Sequence, residues 1–195
     1  MRNDFFVRAI EVVLDTFEFT FSIPISIRPT WKGEEVAKRL SDNGGACCEF
    51  RGTRTPEGIP TVNEFVVYIH EDIQSVSEAN EFETGIRYRI EQFFESISVD
   101  FTRESLFVFS LLHELGHLDV YEKFKRAGTP NEYQKILDTM FGDEKTNQKW
   151  LETNKVKYFQ YLNAIEARSD IFALSHFVKV WKILWPESEP NVGGE

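Results

Sequence analysis

The chain has 195 residues, of which 42% are hydrophobic and 28% are charged, a composition typical of a soluble globular protein rather than a disordered one. Its 32 acidic and 22 basic residues give a formal net charge of −10, which repels phosphate backbones and argues against nucleic acid as a partner. No run approaches the length of a membrane span, and the first residues lack the features of a signal peptide. We therefore expect a cytoplasmic protein with no membrane partner.

The N-terminal part of the chain predicts one amphipathic helix, because four apolar residues recur at helical spacing: Phe6, Ile10, Val13 and Phe17. An extended connector with two prolines follows, and then a second helix over about 31–42. Strands are predicted over 46–51 and 62–70. The second strand has Phe65, Val67 and Ile69 on one face, and we expect the two strands to belong to a small antiparallel sheet.

From residue 71 onward the pattern is mainly helical. Helices are predicted near 81–97, from Thr102 to about Arg126, and over 131–141, 144–155 and 157–184. The fold class is therefore α+β, mostly helical, with a small antiparallel sheet. We expect a single domain over 1–185 and a disordered tail over 186–195.

The two cysteines, Cys47 and Cys48, are adjacent. Neighbouring residues of a strand point to opposite faces, so a disulfide between them would be strained. Two isolated, adjacent thiols also cannot build a four-ligand zinc site. We interpret both as structural cysteines in a reducing compartment.

The main chemical signal is His113-Glu114-Leu115-Gly116-His117, an HExxH match inside a predicted helix. Residues four apart lie on one face of a helix, so both imidazoles can bind one divalent ion and leave a position for water. Glu114 can take a proton from that water and deliver it to a leaving amine. The alternative is a pair of hydrogen-bonded core histidines.

The surroundings of the motif favour the metal site. The predicted helix is apolar on almost every side, which is typical of a buried helix. Two unpaired imidazoles and a carboxylate are costly to bury, and metal coordination removes much of that cost. Gly116 in a helix interior also points to close packing, since glycine there costs about 1 kcal/mol.

A third ligand is predicted in the last helix. Glu166 lies on an otherwise core-facing row, and Asp170 follows one turn later. Two carboxylates at this spacing repel each other unless a cation or proton is close. Glu166 as a ligand and Asp170 as an acceptor for the free N–H of a ligand histidine would satisfy all these groups. The alternative is a solvated acidic patch paired with Arg168 or Lys155.

HELGH, followed by Glu166-Ala-Arg-Ser-Asp-Ile-Phe-Ala about fifty residues later, resembles the ImmA/IrrE family of zinc metallopeptidases. More broadly, the two motifs are similar to those of thermolysin-like gluzincins. The resemblance implies one zinc ion bound by His113, His117 and Glu166, with Glu114 as the general base. It also implies a zincin-like fold with a small sheet beside the HExxH helix, and a protein substrate such as a transcriptional repressor.

In zincins generally, an edge strand beside the active-site helix holds the substrate by backbone pairing. The strand over 62–70 is the candidate here, with Val66, Val67 and Tyr68 as substrate-binding residues. We thus predict a zinc-dependent endopeptidase acting on a protein or peptide. Two alternatives stay open: a zinc-containing regulatory protein with little activity, and a helical interaction domain without metal.

Overall fold

The computed structural model describes residues 4–30, 45–54, 60–70, 73, 84–128 and 144–186. Within these residues the chain forms four helices and three strands. In chain order they are α1 (Asp4–Phe17), β1 (Ile25–Thr30), β2 (Ala46–Arg54), β3 (Pro60–His70), α2 (Thr84–Ser96), α3 (Arg103–Arg126) and α4 (Glu144–Leu184). The predicted α+β class is confirmed. The predicted helices over 31–42 and 131–141 and the tail beyond residue 186 lie outside the described residues, and the domain limits 1–185 and 186–195 stay a prediction.

The sheet is mixed, so the predicted purely antiparallel arrangement is wrong. Its strand order is β1-β3-β2, with β1 parallel and β2 antiparallel to β3. β1 lies in the segment that the sequence predicted as a connector, because its prolines indicated a break. Pro29 lacks a backbone N–H but pairs opposite Ile69 on an outer strand, where the missing donor is tolerated.

One face of the sheet packs against α3. Phe65, Val67 and Ile69 of β3 belong to the hydrophobic core, as predicted. On β2, Phe50 pairs with Phe65, and their ring centroids lie 4.8 Å apart. The Phe50 ring also lies 5.1 Å from that of Tyr121 on α3. The central helix and the sheet are therefore joined by a layer of aromatic and branched side chains.

Helix α3 begins where the sequence predicted. The Thr102 hydroxyl accepts a hydrogen bond from the backbone N–H of Ser105 at 3.2 Å, and the Ser105 hydroxyl accepts one from the Thr102 N–H at 2.9 Å. This reciprocal pair satisfies two backbone donors at the helix start. At the other end Gly128 has a φ of +74°, a left-handed conformation that glycine adopts readily.

Buried residues occur on almost every side of α3, which confirms the burial predicted from its apolar pattern. They are Ser105, Leu106, Phe107, Val108, Phe109, Leu111, Leu112, Glu114, Leu115, Gly116, Leu118, Val120, Tyr121 and Glu122. Polar groups on such a helix have little access to water, so their partners must come from neighbouring elements.

Helix α4 is one continuous helix of 41 residues, where the sequence predicted two over 144–155 and 157–184. No glycine or proline lies near the predicted break, so nothing in the backbone chemistry ends the helix there. Among the described helices, none has the length and apolar composition needed to cross a membrane.

Helices α3 and α4 pack closely at Gly116. A Cβ atom placed on Gly116 would lie 2.5 Å from the Cα of Ser169 and 2.8 Å from its carbonyl oxygen. Ser169 is fully buried, and its hydroxyl donates a hydrogen bond to the Ile165 carbonyl at 3.1 Å. Gly116 is therefore required by the backbone of the neighbouring helix, which explains the glycine that the sequence singled out.

Replacing Gly116 by Ala should lower the free energy of unfolding by about 1–3 kcal/mol, because the added methyl group forces the helices apart. On a helix without this contact the same change would instead stabilise by up to about 1 kcal/mol. Denaturant unfolding measures the difference. Adding Ser169→Gly should not restore stability, since the two nearest contacts are backbone atoms. A Gly116→Ala variant at least as stable as the wild type would contradict the proposed packing.

Candidate metal centre

The two helices bring four polar side chains together across the Gly116 contact. On α3, His113 and His117 are one turn apart, and their ring centroids are separated by 5.1 Å. On α4, Glu166 and Asp170 are also one turn apart and face these imidazoles. The close approach of the helices therefore turns two i,i+4 pairs into one cluster.

Three of these residues could hold a metal ion. One ligand atom from each of His113, His117 and Glu166 lies within 4.8 Å of the other two. The Nε2 atoms of the histidines face the same carboxylate: His113 Nε2 is 3.1 Å from Glu166 Oε2, and His117 Nε2 is 3.7 Å from Oε1. The structure thus brings together the three residues that the sequence selected.

Asp170 contacts the other nitrogen of His113. Its Oδ1 atom lies 2.9 Å from His113 Nδ1, which leaves Nε2 directed at Glu166. The contact is the one that the sequence predicted. The alternative of a solvated acidic patch does not fit Asp170, whose side chain is only 18% exposed, whereas the Glu166 side chain is 43% exposed.

The pKa values of the two histidines in the cluster are shifted in opposite directions. Burial disfavours the charged form of His113, but hydrogen bonds to Asp170 and Glu166 outweigh it and raise its pKa from 6.5 to about 10. For His117 burial dominates and lowers the pKa. Burial acts to raise the pKa of Glu166, but His113 and His117 together lower it. Without a metal ion, His113 is therefore the cation that the two carboxylates share.

Glu114 lies beside the three candidate metal ligands and close to Cys48, a neighbour that the sequence did not predict. Its side chain is buried, and one of its carboxylate oxygens lies within 4.8 Å of the Cys48 sulfur of β2. Burial, and then the charge of Glu114, raise the pKa of Cys48 well above its usual value of 9.0. The available signal was the alternation of strand residues, which directs one of two adjacent cysteines inward.

The predicted substrate contacts at Val66, Val67 and Tyr68 are wrong in one respect: β3 is the central strand and not an edge. Its backbone pairs with β1 on one side and with β2 on the other, so these residues cannot pair with a substrate backbone. Val66 and Val67 are fully buried. Sequence alone could not reveal this, because the flanking strand β1 was not predicted.

Other polar residues of these helices point elsewhere. Asp119 forms an ion pair with Lys123 on its own helix, and Glu122 binds the loop between α1 and β1. His176 lies with its ring centroid 4.5 Å from that of Phe172, in an aromatic packing contact. These residues are therefore natural controls for the cluster.

The metal-free protein should become less stable as the pH rises from 6.5 to about 10. The fold favours the protonated form of His113, so this contribution is complete below pH 6.5, decreases above it, and is lost through about pH 10. Thermal unfolding in the presence of a chelator measures the effect. Asp170→Asn should flatten the dependence, since Asp170 provides the strongest contact that raises this pKa. If the stability of the wild type and of Asp170→Asn changed equally with pH, Asp170 would not be the contact that raises the pKa of His113.

The resemblance to zinc metallopeptidases was drawn from the sequence motifs alone and stays a prediction. Comparisons of the chain with protein-family models, with curated proteins and with solved structures find no match.

Proposed function

We propose that this protein is a zinc-dependent metallo-endopeptidase with a zincin-like fold. The observation that carries the proposal is the convergence of His113, His117 and Glu166, whose ligand atoms lie within 4.8 Å of one another. The buried carboxylate of Glu114 lies beside this group, within 4.8 Å of His117. Three ligands of this type and one nearby base are the set of residues that metal-assisted amide hydrolysis requires.

The residues of the cluster fit a zinc ion. Two imidazole nitrogens and one carboxylate oxygen are common zinc ligands, and a site with three protein ligands keeps one position open for chemistry. Asp170 accepts from Nδ1 of His113 and so fixes the ring with Nε2 directed inward. When bound, zinc would supply a Lewis acid that lowers the pKa of a water molecule and polarises the scissile carbonyl.

Glu114 is the proton carrier in this proposal. Its carboxylate takes a proton from the attacking water and delivers it to the nitrogen of the leaving amine. The residue is only 7% exposed, and a buried carboxylate exchanges its proton with the reactants more readily than with bulk water. Glu114 is not one of the three converging ligands that include Glu166, which supports separate roles for the two carboxylates.

The substrate is a protein or peptide segment in this proposal, and the motif resemblance suggests a transcriptional repressor. Among the described strands β1 and β2 each pair on one side only, with β3. β2 is the better candidate for backbone pairing with a substrate, because it carries Cys48, whose sulfur lies within 4.8 Å of a Glu114 carboxylate oxygen. An extended peptide added beside β2 would therefore lie next to the proton carrier.

We expect about one zinc ion per chain, with affinity set by the cluster residues. Glu166→Gln should weaken binding strongly, because a neutral amide is a poor replacement for a carboxylate ligand. Asp170→Asn should weaken it by roughly 10–100-fold, as changes behind a ligand histidine do. His176→Ala is the matched control and should leave the affinity unchanged. Competition with a chromophoric chelator measures the zinc affinity of the wild type and of the three variants.

Two outcomes would refute this assignment. Purified protein that binds no zinc after metal is added back would exclude the metal site. Normal affinity in Glu166→Gln together with loss of metal in His176→Ala would indicate a different ligand set.

Glu114→Gln should abolish peptide-bond hydrolysis while zinc content and thermal stability are retained, since Glu114 carries a proton and does not hold the metal. The inactive variant should retain substrates that it cannot cut, so capture from a native lysate provides candidates for a cleavage assay. Each candidate is then incubated with the wild-type protein and with the variant. Equal cleavage rates would rule out Glu114 as the base.

A further inference from the structure

The described residues contain a second group of side chains that could hold a metal ion, and this group includes Cys48. Cys48 pairs with Val67, so its side chain lies on the face of the sheet that packs on α3. The adjacent Cys47 pairs with Tyr68 and points to the opposite face. The two thiols are thus neighbours in sequence but face different surroundings.

Cys48 lies within reach of the candidate metal centre. Its Sγ atom, a carboxylate oxygen of Glu114 and a ring nitrogen of His117 all lie within 4.8 Å of one another. His117 belongs to this group and also to the group formed with His113 and Glu166. In a tetrahedral site a thiolate sulfur and an imidazole nitrogen lie about 3.6 Å apart, so the Cys48 side chain has to move toward the ion to become a ligand.

We propose that Cys48 is a fourth protein ligand of the metal ion and that its coordination holds the centre in a closed resting form. This inference rests on the proposed metal site. Cysteine sulfur is a strong zinc ligand, and four protein ligands are typical of closed zinc sites, whereas hydrolysis needs an open position. The centre can then catalyse hydrolysis only when the fourth donor is solvent and not the Cys48 sulfur.

The proton balance of this step is the one usual for a thiol ligand. Coordination replaces the S–H bond of Cys48 by a metal–sulfur bond, and the thiol proton is released to solvent. Binding of Cys48 therefore removes the open position that hydrolysis needs, and its release restores that position.

Cobalt(II) substitution tests the proposal without a substrate. The full chain is freed of metal and given cobalt(II) chloride, and bound cobalt and the near-ultraviolet spectrum are measured. The wild type should bind about one cobalt ion and show a thiolate-to-cobalt charge-transfer band. Cys47→Ser is the matched control and should keep the band. Cys48→Ser should bind cobalt and lose the band, while its hydroxyl group keeps a polar side chain of similar size.

The outcomes separate this inference from the proposed function. Cobalt bound by the wild type without the band, or a band that persists in Cys48→Ser, overturns the role of Cys48 and leaves the metal centre intact. A wild type that binds no cobalt overturns both. A second variant, Cys48→Ala, guards against an effect of the serine hydroxyl and should show the same loss of the band.

Discussion

The site depends on one steric constraint, the contact between the backbones of α3 and α4 at Gly116 and Ser169. A side chain at Gly116 would overlap the Ser169 backbone, so the helices can approach this closely only with glycine at that position. One turn before the contact on α3 lies His113, and on either side of it on α4 lie Glu166 and Asp170. The distances of 3.1 Å and 2.9 Å from His113 to these carboxylates follow from that approach.

This packing removes polar side chains from water, and contacts within the cluster offset the cost. His113, His117 and Asp170 are each less than 20% exposed, and a buried polar group left without a partner costs about 1–3 kcal/mol. Without a metal ion, a protonated His113 shared by two carboxylates satisfies the cluster, which is why its pKa is raised so far. A divalent cation could replace that proton as the source of positive charge. The proposed zinc ion would take over this role when it binds.

The sheet adds a third segment to the centre. β2 approaches α3 through Phe50 and Tyr121 and, two residues away from Phe50, places the Cys48 sulfur within 4.8 Å of a Glu114 carboxylate oxygen. The base of the proposed reaction is therefore not surrounded by helices alone. A thiol from the outer strand β2 lies near it, and this strand is also the better candidate for aligning a peptide.

The local chemistry of the chain could be read from its residues. HExxH at helical spacing and Glu166 with Asp170 one turn later were visible, because a helix converts sequence spacing directly into a shared face. Thr102 as the helix cap and the inward face of β3 were equally local, since a cap depends on neighbouring residues and strand side chains alternate.

The way in which these segments meet became clear only from the folded chain. The position of β1 beside β3, the central place of β3 in the sheet, and the approach of Cys48 to Glu114 depend on pairing between distant segments. Neither propensity nor periodicity records such partners.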